Sequence, residues 1–516
     1  MGVNRRELLQ WLGSSFSALA LSRFVKAQTA PSSTNFLATR ASLEGYRIPD
    51  WFRDAKFGIW SHWGPQSAIE DGDWYARNMY IQGSSQYDYH VQTYGHPSKV
   101  GYKDLVDHWK AEKWDPAYLM SLYKKAGAKY FVSMGVHCDN FDLWNSKYTR
   151  WNAVKMGPRR DIVGAWREAA LKNGLRFGVS EHVWMSYRWF ATSHSSDKDG
   201  PLAGVRYDGH DPQFADLYHD SECEKFISSK DGWDWDEAGI PDAWKRHYLD
   251  RMTDLIDKYQ PDYFYSDGHL PFEDYGLKMV SHLYNVSAQL HGGQTEAVYT
   301  SKLGTDCAIG TCVLDRERGV SDAISSNPWQ SDTCIGQWHY KRGQRYKPAK
   351  KVIDLLVDIV SKNGNLLLNF PLPNSGELDF EEMEILEGIT QWMAINSEGI
   401  HASRPWKIYG EGPSTQVKIE TGNFNEDKQK DLTAEDVRFT TKGSTLYAFV
   451  MGWPEKEAVV RSLGLASHQT PGVIRNLELL GHKGKINWKQ DEAGLRVQMP
   501  AEKVSDVGIT LRIELT

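Results

Sequence analysis

Apolar positions in the first three quarters of the chain alternate between short unbroken runs and longer stretches with a helical period. Lys56-Phe57-Gly58-Ile59-Trp60-Ser61-His62 is the first run, and it closes on polar residues. Asp115-Pro116 predicts a helix start, the carboxylate capping free N–H groups and the proline fitting the first turn. Leu119, Leu122 and Tyr123 share a face of that helix, and Gly127 ends it. Tyr130-Phe131-Val132-Ser133-Met134-Gly135-Val136-His137 is the next run. The unit then repeats. Asp161 caps a helix carrying Ile162, Trp166, Ala169 and Ala170 on one stripe, Asn173-Gly174 stops it, and Arg176 to His182 reads as a strand. Trp244 to Tyr259 is helical, Pro261 breaks it, and Tyr263-Phe264-Tyr265-Ser266-Asp267-Gly268 follows. Val352 to Val360, the turn at Asn363-Gly364 and the run Asn365 to Phe370 form one more copy.

Helix, glycine turn, apolar strand and polar cluster is the repeat of a parallel barrel, and the unbroken apolar runs imply burial on both faces. The predicted fold is α/β: a (β/α)8-like barrel over 45–398, followed by an antiparallel β-sandwich over 400–516. The segment 191–241, rich in Asp, Gly and Ser and containing Trp233 and Trp235, breaks the rhythm. It predicts a long loop over one barrel end, where such loops often close a site. Beyond residue 400 the period changes to two. Leu446, Ala448 and Val450 share a face, as do Val473, Leu477 and Leu479, and Ile509, Leu511, Ile513 and Leu515.

The N-terminus carries Arg5-Arg6, an apolar stretch from Leu12 to Leu21 and a small-residue site at Val25-Lys26-Ala27. This predicts a twin-arginine-type signal peptide over 1–27 and a periplasmic or secreted product. No later stretch approaches the ~20 apolar residues of a membrane span. A net charge of −7 argues against a nucleic-acid binder. The five cysteines, Cys138, Cys223, Cys307, Cys312 and Cys334, contain no CxxC, so zinc ligation by them is not expected. Disulfides among Cys307, Cys312 and Cys334, or free buried thiols, fit equally.

The 21 Trp and 25 Tyr offer flat faces that pack on sugar rings, or a large core. Position favours the first use. In a parallel barrel the working residues sit at the C-terminal strand ends. There the runs place His62-Trp63, His137-Cys138-Asp139, Glu181-His182 and Asp267-Gly268, with Asp73-Trp74-Tyr75 in a following loop. His62, His137, His182 and Asp267 are also metal-ligand types, but they lack HxxxH or HExxH spacing. A glycosidase needs two carboxyl groups flanking the scissile bond. Asp267, before a glycine that allows close approach, is the candidate nucleophile. Glu317 and Glu181 are the candidate acid/base groups. A non-catalytic sugar-binding protein would keep the aromatic platforms without the carboxylate pair.

The ordered motifs resemble glycoside hydrolase family 29, the α-L-fucosidases. Lys56 to Gly64 resembles its KFGIFxHWG stretch, Asp73-Trp74-Tyr75 its EWY, and Gly127 to Trp144 its AGAKYxxxxxKHHDGFxLW. Arg159 to Gly164 resembles KRDIVG, Asn363 to Asn369 resembles NGNLLLN, and Arg404-Pro405-Trp406 resembles RPW. The resemblance implies a barrel plus sandwich, retaining hydrolysis of terminal α-L-fucosyl groups on oligo- or polysaccharides, and no cofactor or metal. It implies Asp267 as nucleophile and His62, Asp73, Trp74 and His137 as sugar-holding residues. It also implies Glu317 as acid/base, within Arg316-Glu317-Arg318-Gly319-Val320, and Trp338 as a pocket wall. Three departures, Cys138 for the second His, Asp73 for Glu, and Ser180-Glu181 for a Tyr pair, fall where the family grips its sugar. They suggest a reshaped pocket taking L-galactose or a substituted fucose, with Cys138 and Glu181 in contact with it.

Overall fold

The computed structural model describes residues 35–227, 236–307, 310–469 and 472–515. The signal peptide and Trp233 and Trp235 lie outside the described residues. Eight parallel strands close into a barrel in sequence order. They are β1 (Phe57–Ser61), β2 (Tyr130–Val136), β3 (Arg176–Glu181), β4 (Tyr263–Ser266), β5 (Val298–Ser301), β6 (Val313–Glu317), β7 (Trp329–Cys334) and β8 (Gly364–Asn369). β1 pairs with β8 through Phe57↔Leu366 and Ile59↔Leu368, which completes the ring.

Side-chain alternation sorts each strand between two cores. Trp60, Tyr130, Val132, Tyr263, Tyr265, Val298, Val313 and Leu367 fill the barrel interior as one cluster. Phe57, Ile59, Phe131, Phe177, Val179, Phe264 and Leu368 join the larger core shared with the helices. Gly58 makes the interior packing feasible, because a Cβ there would lie 2.3 Å from the Tyr130 ring. The capped helices form as expected. Asp115 accepts from the N–H groups of Ala117 and Tyr118 ahead of the helix Pro116–Lys125. Asp161 accepts from Gly164 N ahead of the helix Ile162–Lys172.

The described part of the 191–241 region, between β3 and the helix Asp242–Tyr259, consists mainly of short 3-10 turns, among them Phe190–His194, Asp208–His210 and Ser221–Phe226. Cys307 and Cys312 form a disulfide, and Cys138, Cys223 and Cys334 are buried free thiols. Among the described residues no helix is long and apolar enough to cross a membrane.

The C-terminal part holds β9 (Arg404–Glu411), β10 (Val437–Lys442), β11 (Thr445–Val450), β12 (Glu457–Val460), β13 (Ile474–Leu479), β14 (Trp488–Asp491), β15 (Gly494–Gln498) and β16 (Ile509–Leu515), which form a five-stranded antiparallel sheet in the order β13-β16-β11-β10-β9 and a three-stranded sheet in the order β12-β15-β14. In β11 (Thr445–Val450), Leu446, Ala448 and Val450 face the smaller sheet, while Tyr447 and Phe449 turn to the barrel core. The Thr510 hydroxyl of β16 (Ile509–Leu515) donates to Asn396 Oδ1 at the end of the helix Phe380–Asn396. The larger sheet is thus a layer between barrel and outer sheet. One expectation shifts: Val473 is 57% exposed instead of facing inward. β13 begins at Ile474, which takes the inward place, and a register irregularity between Ile474 and Asn476 resets the phase.

Candidate active site

Each of the first five barrel strands presents a polar or aromatic residue just past its C-terminal end: His62, His137, His182, Asp267 and Lys302. Glu317 ends β6, Asp332 lies within β7 and Asn369 ends β8. All of these but Asn369 surround a cavity of about 280 Å³, with Trp60, Asp73, Trp74, Met185, Tyr265, Trp338, Asn423 and Phe424 completing its wall. A larger groove, about 1040 Å³, runs along residues 45–53 and the disulfide loop and contains none of these groups.

Asp267 is held at both backbone and side chain. Its N–H donates to Glu181 O at 3.1 Å, and its carbonyl accepts from Trp184 Nε1 at 2.6 Å. Lys302 Nζ lies 2.5 Å from Oδ1, and His182 Nδ1 lies 3.2 Å from Oδ2. Burial pushes the Asp267 carboxyl up, but Lys302 and His182 outweigh it and hold it well below the usual carboxylate range. The Lys302 ammonium also donates to Glu317 Oε2. Burial raises the Glu317 carboxyl to about 7, with Lys302 opposing and the Asp267 charge adding to the rise. One ammonium touching both carboxyl groups holds them side by side, the close arrangement of a retaining pair and too near for the ~6.5–9.5 Å gap that admits an inverting water. One carboxyl is ionised while its neighbour keeps a proton to near neutrality, the divergence expected of nucleophile and acid.

The far side of the cavity is built from rings. Trp60 underlies it, 4.0 Å from the His62 ring and 4.7 Å from Tyr265 between centroids. Trp338 stands 4.8 Å from His62. Burial, reinforced by neighbouring histidines, keeps His62 and His137 well below the ordinary imidazole value, so both stay neutral. His62 Nδ1 donates to Asn369 Oδ1, which leaves Nε2 as an acceptor. Gln66 Nε2 donates to His137 Nδ1, so the Nε2–H of His137 is a donor. A paired donor and acceptor is what a sugar hydroxyl requires. Asp73 is fixed by His339, 2.7 Å away. Trp74 adopts φ = 62°, a left-handed conformation uncommon for an aromatic residue and of the kind stored at binding sites. His62, His137 and His182 each bring a ring nitrogen within 4.8 Å of the others, as do Asp73, His137 and His339. Either group could hold a cation, and the same nitrogens suit hydroxyls.

Of the residues singled out from sequence, His62, Asp73, Trp74, His137, Asp267, Glu317 and Trp338 meet at this cavity. Glu181 and Cys138 do not reach it. Strand alternation turns Ser180 inward, where it accepts from Trp60 Nε1, and Glu181 outward, where it accepts from Tyr248. Cys138 is buried, its thiol donating to the His182 carbonyl. Where position 138 lacks an imidazole, the ring of His182 from the next strand stacks on His137 with centroids 4.5 Å apart. The sequence pattern does not single out Lys302, Asp332, His339, Asn423 or Phe424. Val298-Tyr299-Thr300-Ser301-Lys302 does have the form of the other runs, a short strand closing on a charge. Asn423 and Phe424 arrive from the loop between Arg404–Glu411 and Val437–Lys442, two strands of the larger C-terminal sheet, and carry no local signal. Phe424 N donates to Glu317 O, and buried Glu426 anchors the stretch to Arg318, Lys347 and Thr333.

Paired carboxyl groups in opposite protonation states, beside a sugar-sized hollow at the C-terminal mouth of a barrel, define the class of barrel glycoside hydrolases. The family model described as Alpha-L-fucosidase matches residues 23–398, and that of the Alpha-L-fucosidase C-terminal domain matches 429–514. The chain belongs to the α-L-fucosidase family. Human tissue alpha-L-fucosidase is 26% identical over 472 residues, covering 89% of this chain and 86% of that protein. Human plasma alpha-L-fucosidase is 25% identical, covering 91% and 90%. The crystal structure of Thermotoga maritima alpha-fucosidase in complex with fucose superposes with a TM-score of 0.68 at 25% identity, covering 93% of this chain and 100% of that one.

Proposed function

We propose that the protein is an exo-acting, retaining α-L-fucosidase that releases terminal α-L-fucosyl residues from oligo- or polysaccharides, with Asp267 as nucleophile and Glu317 as acid/base. The observation that carries this reading is the single Lys302 ammonium touching both carboxyl groups. Asp267 attacks the anomeric carbon as the C–O bond to the aglycone breaks, and Glu317 gives its proton to the departing oxygen. Glu317, now ionised, takes a proton from water as that water displaces Asp267 and the sugar leaves with its configuration retained. His62, His137, Asp73 and Trp74 orient the hydroxyls, and Trp338 closes the pocket. Glu317 serves both proton transfers and Asp267 the covalent step, so the sequence of steps needs no cofactor. Following the product anomer over time on an aryl α-L-fucoside tests the reading. The first-formed sugar is expected to be the α-anomer, and a β-anomer would overturn the double displacement.

The case for a different sugar weakens on the geometry. Two of its three motives, Cys138 and Glu181, lie off the cavity, and His182 supplies the second imidazole. The aryl α-L-fucoside is therefore expected to exceed the aryl α-L-galactoside in kcat/KM by about 10–100-fold, the usual discrimination of an apolar wall against one added hydroxyl. Equal rates would restore the alternative of L-galactoside or substituted fucoside hydrolysis.

Lys302 has a separable signature. Replacing it by Met removes the charge that lowers both carboxyl groups, so Asp267 and Glu317 both titrate higher. Activity requires Asp267 ionised and Glu317 protonated, so both limbs of the kcat/KM profile should move to higher pH. The alkaline limb starts from about 7 in the parent. An unmoved profile would show that Lys302 is only a packing residue. Export through the twin-arginine route remains the proposed destination, and the Cys307–Cys312 disulfide supports an oxidising compartment.

A further inference from the structure

Outside the catalytic cavity, three turns of the 191–241 region converge on one point. His194 ends the turn Phe190–His194, His210 ends Asp208–His210, and Glu224 lies in Ser221–Phe226. Their ligand atoms lie within 4.8 Å of one another. The His194 ring is buried, 3% exposed, and its Nε2 stands 3.0 Å from the Tyr218 carbonyl. A carbonyl can only accept, so Nε2 carries the proton and Nδ1 is a bare lone pair. That Nδ1 has no hydrogen-bond partner among the described residues, and it faces Glu224 Oε1 at 3.8 Å. Two acceptors aimed at each other across a gap repel unless a cation or a proton donor lies between them. His210 Nδ1 approaches the same oxygen at 3.2 Å.

We propose that His194 Nδ1, His210 Nδ1 and Glu224 Oε1 form a binding site for a divalent transition-metal cation of the zinc type. A tetrahedral ion with bonds of about 2.0–2.2 Å sets its ligand atoms roughly 3.3–3.6 Å apart, and Glu224 Oε1 lies 3.2 Å from His210 Nδ1 and 3.8 Å from His194 Nδ1. The outer partners are those that metal ligands commonly have. His194 donates its other ring N–H to a carbonyl, and Arg206 engages Glu224 Oε2 at 3.1 Å, leaving Oε1 turned to the ion. Water would take the fourth position. Two imidazoles and one carboxylate suit zinc better than calcium or magnesium, which prefer all-oxygen sets. The ion would tie together three turns of a region with little regular secondary structure. Directly before the turn that ends in His194, Trp189 backs the catalytic cavity, 6.1 Å from Trp74 and 6.2 Å from His137.

The test uses the full protein, purified without a polyhistidine tag, stripped with chelator and titrated with zinc chloride by calorimetry and thermal unfolding. One zinc per chain and a raised Tm are expected, with no comparable rise from calcium or magnesium. His210 is about half-exposed, so His210→Ala should fold normally and keep the chelated parent's turnover of an aryl α-L-fucoside, while weakening zinc binding at least about 10–100-fold. Glu224→Gln should weaken it similarly. The site is overturned if no stoichiometric zinc binds, or if calcium stabilises equally. It is overturned too if zinc binds both variants undiminished and competes with fucose, which would place the ion on the catalytic histidines instead.

Discussion

Asp267→Asn is expected to reduce turnover of every α-L-fucoside by on the order of 10⁴-fold or more, the scale seen when a covalent catalyst loses its nucleophile. The amide oxygen can still accept from Lys302, and the backbone remains pinned by Glu181 and Trp184, so the circular dichroism spectrum and thermal transition should stay close to the parent's. What disappears is the charge able to form a bond at the anomeric carbon. Initial rates on an aryl fucoside, measured beside a melt, separate the two. Near-normal rates in a folded variant would remove Asp267 from the nucleophile role.

Glu317→Ala should divide substrates by their leaving group. Fucosides of sugar alcohols need a proton on the departing oxygen and should slow by about 10²–10⁴-fold. Activated aryl fucosides need none, so their first step should stay fast and their turnover should become limited by hydrolysis of the fucosyl-enzyme. A burst of aryl alcohol followed by a slow steady state is the expected trace, and added azide, which needs no general base, should relieve it. The alkaline limb near 7, assigned to the Glu317 carboxyl, should vanish from kcat/KM. Equal slowing of both substrate types would exclude Glu317 as the acid. Glu181 would not inherit the role, because its carboxyl is buried against Tyr248 away from the cavity.

The barrel was legible wherever a strand is buried on both faces and follows a capped helix, as with Tyr130–Val136 after Asp115 and Arg176–Glu181 after Asp161. β6, Val313–Glu317, is harder to read because Asp315, Arg316 and Glu317 make it polar, and it becomes a strand only because its neighbours supply the pairing. The carboxylate at 267 could be read from its place behind an apolar run. The reach of Glu181 could not, since a one-residue difference along a strand reverses the direction of a side chain. The stacking of His182 on His137 joins the ends of adjacent strands, and local pattern does not carry contacts of that kind. The contribution of residues 423–426 is more distant still, more than a hundred positions from the carboxyl group they cover.

That last contribution has a bearing on how the protein can be divided. Phe424 and Asn423 reach the sugar's doorway from chain that belongs, by sequence position, to the C-terminal half, and Glu426 bolts them to the loops after β6 and β7. The seam suggested by the change of period near residue 400 is therefore not a functional border. An isolated barrel would lack part of its own entrance, and grafting a foreign sheet module onto it would alter which aglycones are admitted.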